Sequence, residues 1–314
     1  MNLFRTFPPI SIWNYDDQQA MKSPPTALFQ SMYLFFIFSL FLHAQPLSTE
    51  KIRDLLYQSH LDQKVRYVDM LGEGENFFDD DPRMNWKDVN CTTWWQHVIA
   101  KGYANTDREE QQILDRIRYY DGVIGFGTRK HFLDRALDLD PVPFRNIDTQ
   151  NYLMCVPDQK KSVELSLATF TKNQGFSCPL YKPERIQSTF SYFSPNALLS
   201  CAQQLPAGIY IIFPIAMDRY IEVWGEKSGP MGRVHGLILD KEDTHTQVYH
   251  ASVQEKKVQS LTLLDYVSSG AAGLFEGYQV YMLEPTFPEP QNNLDHHQET
   301  VDCERKMRAL SPSP

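Results

Sequence analysis

Apolar residues recur with a helical period in the first third of the chain, and with a period of two in most of the last third. Ile52, Leu55, Leu56 and Ser59 mark a helix from about Ser48, whose hydroxyl can cap it, to Leu61. Cys91, Trp94, Trp95, Val98 and Ile99 form one stripe of a second helix, which Gly102 or Asn105 closes. Thr106 can cap a third, with Glu109 and Glu110 in its first turn and Ile113 and Ile117 facing inward. Val65 to Met70 reads as short and extended. Gly72 to Asn76 and Asp79 to Pro82 carry loop chemistry.

The middle of the chain, about Gly122 to Phe193, is loop-rich with short strands. Asn196 to Gln204 then reads as a short helix. Strands follow at Gly208–Pro214, Arg219–Trp224, Arg233–Asp240 and Gln247–Val253, a short helix at Leu261–Val267, and a last strand at Gly277–Leu283. Helices first and mostly antiparallel strands after predict an α+β domain, with helices packed on one face of a curved sheet.

Two of these strands form a hairpin about the turn Lys241-Glu242-Asp243-Thr244. Folded there, Leu239 meets Thr246, Leu237 meets Val248 and His235 meets His250, all on one face because each set is spaced by two. Facing side chains in such a pair start from Cβ atoms about 5 Å apart, so two imidazoles would stand side by side.

A thiol opposite them would give the pair a use. Cys91 falls where a helix begins, and the unpaired N–H groups and positive dipole end there favour a thiolate. One histidine can take its proton. The second can fix the tautomer of the first, as the third member of a triad does. The backbone N–H of Cys91 could donate to an oxyanion. These residues nominate Cys91 as nucleophile, His235 as base and His250 as orienter. Three bland alternatives remain open: an inert packing cysteine, ordinary strand histidines, and a zinc site built from one cysteine and two histidines.

Composition narrows the class. The chain has 314 residues, enough for one sizeable core, and a net charge of −9 with scattered Lys and Arg, which excludes a nucleic-acid footprint. Met32 to Leu42 is apolar but short of the roughly 20 residues a spanning helix needs. Followed by Ala44, it fits the core of a secretory signal peptide, with Met21-Lys22 as a plausible start upstream. The expected layout is a leader and signal over 1–44, one catalytic domain over 45–284 with an insertion near 150–192, and a Pro-, Asn- and Gln-rich tail over 285–314. Export would place the five cysteines (91, 155, 178, 201 and 303) in an oxidising space, where an odd count leaves at least one outside intramolecular bridges.

Four segments in order resemble one family. They are Asn90-Cys91-Thr92-Thr93, Thr128-Arg129-Lys130-His131-Phe132, Val234-His235-Gly236-Leu237, and His250-Ala251-Ser252 with Val258, Leu261 and Asp265-Tyr266 behind it. Together they are similar to the N-acetylmuramoyl-L-alanine amidase-like branch of the NlpC-type, papain-like cell-wall cysteine hydrolases. The resemblance spans about Ser48 to Leu283. It implies a papain-like fold, with N-terminal helices on a curved, mostly antiparallel sheet. It implies hydrolysis of the amide joining N-acetylmuramic acid to L-alanine in peptidoglycan or its muropeptide fragments, without a cofactor or metal. The family's cysteine, histidine and third polar residue fall on Cys91, His235 and His250. Arg129 and His131 fall on a substrate-binding motif in which a guanidinium can clamp a carboxylate, and Trp95 is a further substrate-site candidate. The implied setting is periplasmic or secreted, with no stable membrane insertion after signal cleavage.

The chain departs from the family at Asn90, commonly Asp, at Gln96, commonly an acid, and at Ala207-Gly208-Ile209, commonly a Gly-Asp turn. Two other functions stay open: a stem-peptide endopeptidase of the same fold, and a wall-binding relative with weakened catalysis.

Overall fold

Ser48 caps the first helix, α1 (Thr49–Leu61), by accepting the Lys51 N–H at 3.2 Å. The computed structural model describes residues 46–62, 65–68, 85–119, 122, 129–130, 143–147, 155–166, 185–217, 233, 235–269 and 273–288. Two-residue strands β1 (Arg66–Tyr67) and β2 (Asp88–Val89) pair in parallel and lead into α2 (Cys91–Tyr103). A second helix start follows at once: α3 (Asp107–Arg118) opens on a reciprocal box in which Thr106 and Glu109 each accept the other's backbone N–H.

Strand β3 (Phe144–Asn146) and the hairpin β4 (Gln159–Ser166) with β5 (Arg185–Tyr192) come next. Helix α4 (Pro195–Gln204) then carries Pro at its first position, where the missing N–H does no harm. The remaining elements are β6 (Gly208–Ala216), β7 (Leu237–Lys241), β8 (Thr246–Ser252), β9 (Lys257–Thr262), α5 (Leu263–Ser268) and β10 (Phe275–Leu283). Six strands make one antiparallel sheet in the order β3-β10-β6-β7-β8-β9.

The expected α+β architecture is present, and the N-terminal helices cover one face. Trp94, Trp95, Val98 and Ile99 of α2 pack there with Ile52 and Leu56 of α1 on Ile211, Phe213, Ile238 and Ala251. Each aliphatic side chain so buried stabilises the fold by about 1.5–3 kcal/mol. The one-face expectation is incomplete, because helices cover the other face too. Leu198 and Cys201 of α4 and Tyr266 of α5 pack on Leu237, Leu239, Val248 and Val280. Strands such as β6, buried along nearly their whole length, follow from that two-sided cover.

Three local expectations shift. Leu261 and Thr262 belong to β9, so the short helix starts at Leu263. The hairpin pairs Leu239 with Val248 and Lys241 with Thr246, two residues away from the expected register. A shift of two keeps every side chain on its expected face, whereas a shift of one would have reversed them all. Beyond Glu284 the chain stays packed for a few residues: Pro285 O accepts from Leu47 N, and the Phe287 ring stands edge-on to Tyr103 at 5.4 Å. The strand expected at 219–224, the leader and the rest of the tail lie outside the described residues. Among the described residues no helix is long and apolar enough to cross a membrane.

Candidate active site

Asn90 holds the start of α2 in place. Its side-chain oxygen accepts the N–H groups of Thr92 (2.9 Å) and Thr93 (2.7 Å), while Thr93 Oγ1 accepts the Asn90 N–H at 2.9 Å. Three donors at the helix start are thereby satisfied. Cys91 is the first helical residue, half-buried, outside any disulfide, with Sγ 3.9 Å from Thr92 Oγ1.

His235 and His250 meet as expected, by a different route. Extended past the Ile238–Tyr249 pair, the observed register sets His250 opposite Leu237, so the two histidines are diagonal neighbours rather than directly opposed. Their rings still touch, with His235 Nε2 3.2 Å from His250 Nδ1 and the rings nearly perpendicular, centroids 5.4 Å apart. Behind them the Tyr266 ring stands edge-on to His250 at 5.2 Å.

Two pairings with β6 flank His235. Strand β6 pairs Ile212 with Leu237 and, further along, Ile215 with Arg233. His235 and Gly236 lie between these two pairings, just before β7 begins. Arg233 is itself held firmly. Its guanidinium is buried over the Phe190 ring at 4.4 Å and donates to Gln279 Oε1 and, at 3.3 Å, to Tyr281 OH.

Two chains of contact bring the start of α2 to this end of the sheet. Trp95, one turn beyond Cys91, lays its ring on the backbone of Gly236: a Cβ built there would fall 2.3 Å from Cδ1 and Nε1. On the other side, the turn after β8 offers Lys256 O to Tyr67 N (3.0 Å), Tyr67 pairs with Val89, and Val89 leads through Asn90 to Cys91. Lys256 adopts a left-handed backbone, φ 56°, and its ammonium lies 5.3 Å from the Tyr67 ring centre.

Electrostatics fix the charge state of the two rings. Burial, and then the neighbouring imidazole of His250, push His235 down to about 3. Burial pushes His250 down to about 4. His235 keeps part of its surface exposed, which moderates its shift; the direction stands, and both rings are neutral at pH 7. A neutral imidazole is the form that can accept a proton.

The other predicted site residues fare differently. Trp95 is 2 % exposed and edge-on to Phe144 (5.6 Å) and Phe213 (5.8 Å). Its ring is packed in the core and lies against Gly236, just before β7. Arg129 forms an isolated antiparallel bridge with Tyr119, at the end of α3. His131 lies outside the described residues. Gln96, where the family commonly has an acid, accepts from the buried Arg118 at 2.9 Å. Sequence reasoning passes over Gly236, although a glycine inside an alternating strand signals a bulge or a close approach.

A model of the AmiA-like family, described as N-acetylmuramoyl-L-alanine amidase-like, matches residues 59–274, more than half of the chain. The chain belongs to this AmiA-like family. Among solved structures it is similar to a Legionella pneumophila protein of the DUF1460 family, with a TM-score of 0.59 and 18% identity over 85% of this chain and 98% of that one. It is also similar to an N-acetylmuramoyl-L-alanine amidase from Bacteroides uniformis, with a TM-score of 0.52 and 16% identity over 75% of this chain and 98% of that one. At such identities the likeness is one of fold. No curated protein matches the chain in sequence.

Proposed function

We propose that this AmiA-like protein is a cysteine amidase of the NlpC-type, papain-like kind, and that it hydrolyses the amide joining N-acetylmuramic acid to L-alanine in peptidoglycan fragments. The observation that supports the reading best is the 3.2 Å contact between His235 Nε2 and His250 Nδ1, with Gly236, the neighbour of His235, against the Trp95 ring of the helix that Cys91 opens. Catalysis needs His235 Nε2–H to donate to His250 Nδ1, which leaves His235 Nδ1 bare. That nitrogen takes the Cys91 proton, and Sγ attacks the lactyl carbonyl carbon. The backbone N–H of Cys91 donates to the oxyanion. As the C–N bond breaks, His235 returns the proton to the leaving amine of L-alanine. Water, deprotonated by the same ring, then hydrolyses the thioester to a carboxylate and restores the thiol.

Arg129 is the proposed clamp for a carboxylate of the peptide, and His131, from the same sequence motif, is proposed as a second substrate-binding residue. The Cys155–Cys201 disulfide, with Cα atoms 5.0 Å apart, supports an oxidising compartment. Export through the segment ending near Ala44 to a periplasmic or secreted location is therefore part of the proposal.

The experiment is to incubate the mature chain with a defined muropeptide and to identify the new termini by mass spectrometry. Free muramic acid carboxylate and an L-alanyl amine are expected, and Cys91→Ala should abolish both while leaving the melting temperature nearly unchanged. Cleavage within the stem peptide would instead identify an endopeptidase. Undiminished hydrolysis by Cys91→Ala would remove the nucleophile assignment.

A further inference from the structure

We infer that Tyr266 is a positioning residue, which holds the His250 ring in the one orientation that serves His235. Histidine rings that act through their tautomer are usually fixed by polar partners on both nitrogens. His250 lacks that arrangement. Its Nδ1 faces His235 Nε2 at 3.2 Å, but its Nε2 is buried with no hydrogen-bond partner among the described residues. In the tautomer catalysis requires, that Nε2 carries the proton. Apart from that single contact with His235, no polar contact among the described residues then stops the ring from turning over and presenting a carbon to His235.

Packing has to do what a second hydrogen bond would otherwise do. The Tyr266 ring stands against His250 at 5.2 Å and 76° and is itself 2 % exposed. It is backed by Tyr278, whose ring centre lies 6.4 Å away at 65°. The helix that carries it is short but pinned. Thr262 caps α5 by accepting the Asp265 N–H at 3.1 Å, and its hydroxyl donates to Asp265 Oδ2 at 2.7 Å. A rigid aromatic wall thus runs from Tyr278 through Tyr266 to His250 and ends on His235.

The effect on rate rests on the cysteine amidase reading; the effect on the ring does not. The test is a double-mutant cycle on the full chain, with a defined muropeptide as substrate. Tyr266→Phe keeps the ring and should stay within about threefold of wild type. Tyr266→Leu should lower kcat by about 10- to 100-fold at nearly constant KM, a fraction of what a general base supplies. In a His250→Ala background the same Tyr266→Leu change should add less than about twofold, because nothing is left to orient. Equal losses in both backgrounds would mark Tyr266 as merely structural and overturn the inference.

A second measurement needs no activity. Long-range proton–nitrogen NMR of the wild-type protein should show His250 as a single tautomer protonated at Nε2, and in Tyr266→Phe the same. A mixture of tautomers in wild type would overturn the inference even if Tyr266→Leu failed to fold. A single tautomer in a protein that cleaves no muropeptide would leave Tyr266 in its positioning role and dismiss only the substrate.

Discussion

The indole of Trp95 occupies the space that any side chain at position 236 would need, with Cδ1 and Nε1 2.3 Å from where a Cβ on Gly236 would lie. The contact joins the helix that begins at Cys91 to the strand that begins beside His235, so it sets their separation. Gly236→Ala should push the indole into Phe144 and Phe213, which already contact it edge-on. We expect a loss of about 1–3 kcal/mol in stability, as for overpacked cores, and a fall in activity larger than that loss explains. Urea unfolding and muropeptide hydrolysis on one preparation check this, and a variant with wild-type activity would show that the spacing does not matter.

Acid should unfold the protein through its buried histidines. His97 is held well below the usual histidine value by burial and then by the Arg118 guanidinium, and His250 is held down at about 4 by burial. A histidine with a lowered folded-state value contributes its full stability above the unfolded value of about 6.5 and loses it as pH falls toward the folded value. Below pH 6.5, each of these two should remove about 1.4 kcal/mol per pH unit. His235, partly exposed, should remove less. Urea midpoints at pH 7, 5.5 and 4.5 measure the slope, and His97→Gln should flatten it by its share. A midpoint that stayed level across this range would contradict the burial of both rings.

Much of this was legible in the sequence because it is local. Ser48, Asn90 and Thr106 announce their helices through side chains that reach only three residues ahead. The histidine pair was legible because alternation fixes which face a side chain takes, and that survives a register shift of two. The register itself depends on the loop, which the structure places at Glu242–His245, between the paired Lys241 and Thr246. Strand β9 was missed because it lies at the edge of the sheet and only Val258 of its six residues is buried, so it reads as a polar turn. The hold of Trp95 on Gly236 and of Arg233 on Gln279 joins residues far apart in the chain. No spacing along the sequence encodes such contacts.

The disulfide between Cys155 and Cys201 fastens the chain just before the β4–β5 hairpin to α4, closing a loop 46 residues apart in sequence. Chain-entropy reasoning gives about 4 kcal/mol for a loop of that length, with about 2–4 kcal/mol typical of measured bridges. Cys155→Ser with Cys201→Ser should lower the stability by an amount in that range while leaving Cys91 reactive toward iodoacetamide. A pair of serines as stable as wild type under oxidising conditions would mean that the bridge does not form in solution.

Asn90 offers a sharper test, because it separates capping from charge. Its oxygen accepts two N–H groups at the start of α2 and sits one residue from the thiol. Asn90→Asp keeps both acceptor bonds and puts an anion at the positive end of the helix, which should hold or raise stability by about 0.5 kcal/mol. The same anion lies beside Cys91 and disfavours a thiolate there. Alkylation of Cys91 at pH 7 should therefore slow by a few-fold while the urea midpoint holds or rises. Asn90→Ala should do the reverse in stability, losing about 1 kcal/mol, with no anion added beside the thiol. If Asn90→Asp instead speeds alkylation, the thiolate is not governed by local charge at the helix start, and the reason for placing a nucleophile at Cys91 loses its physical basis.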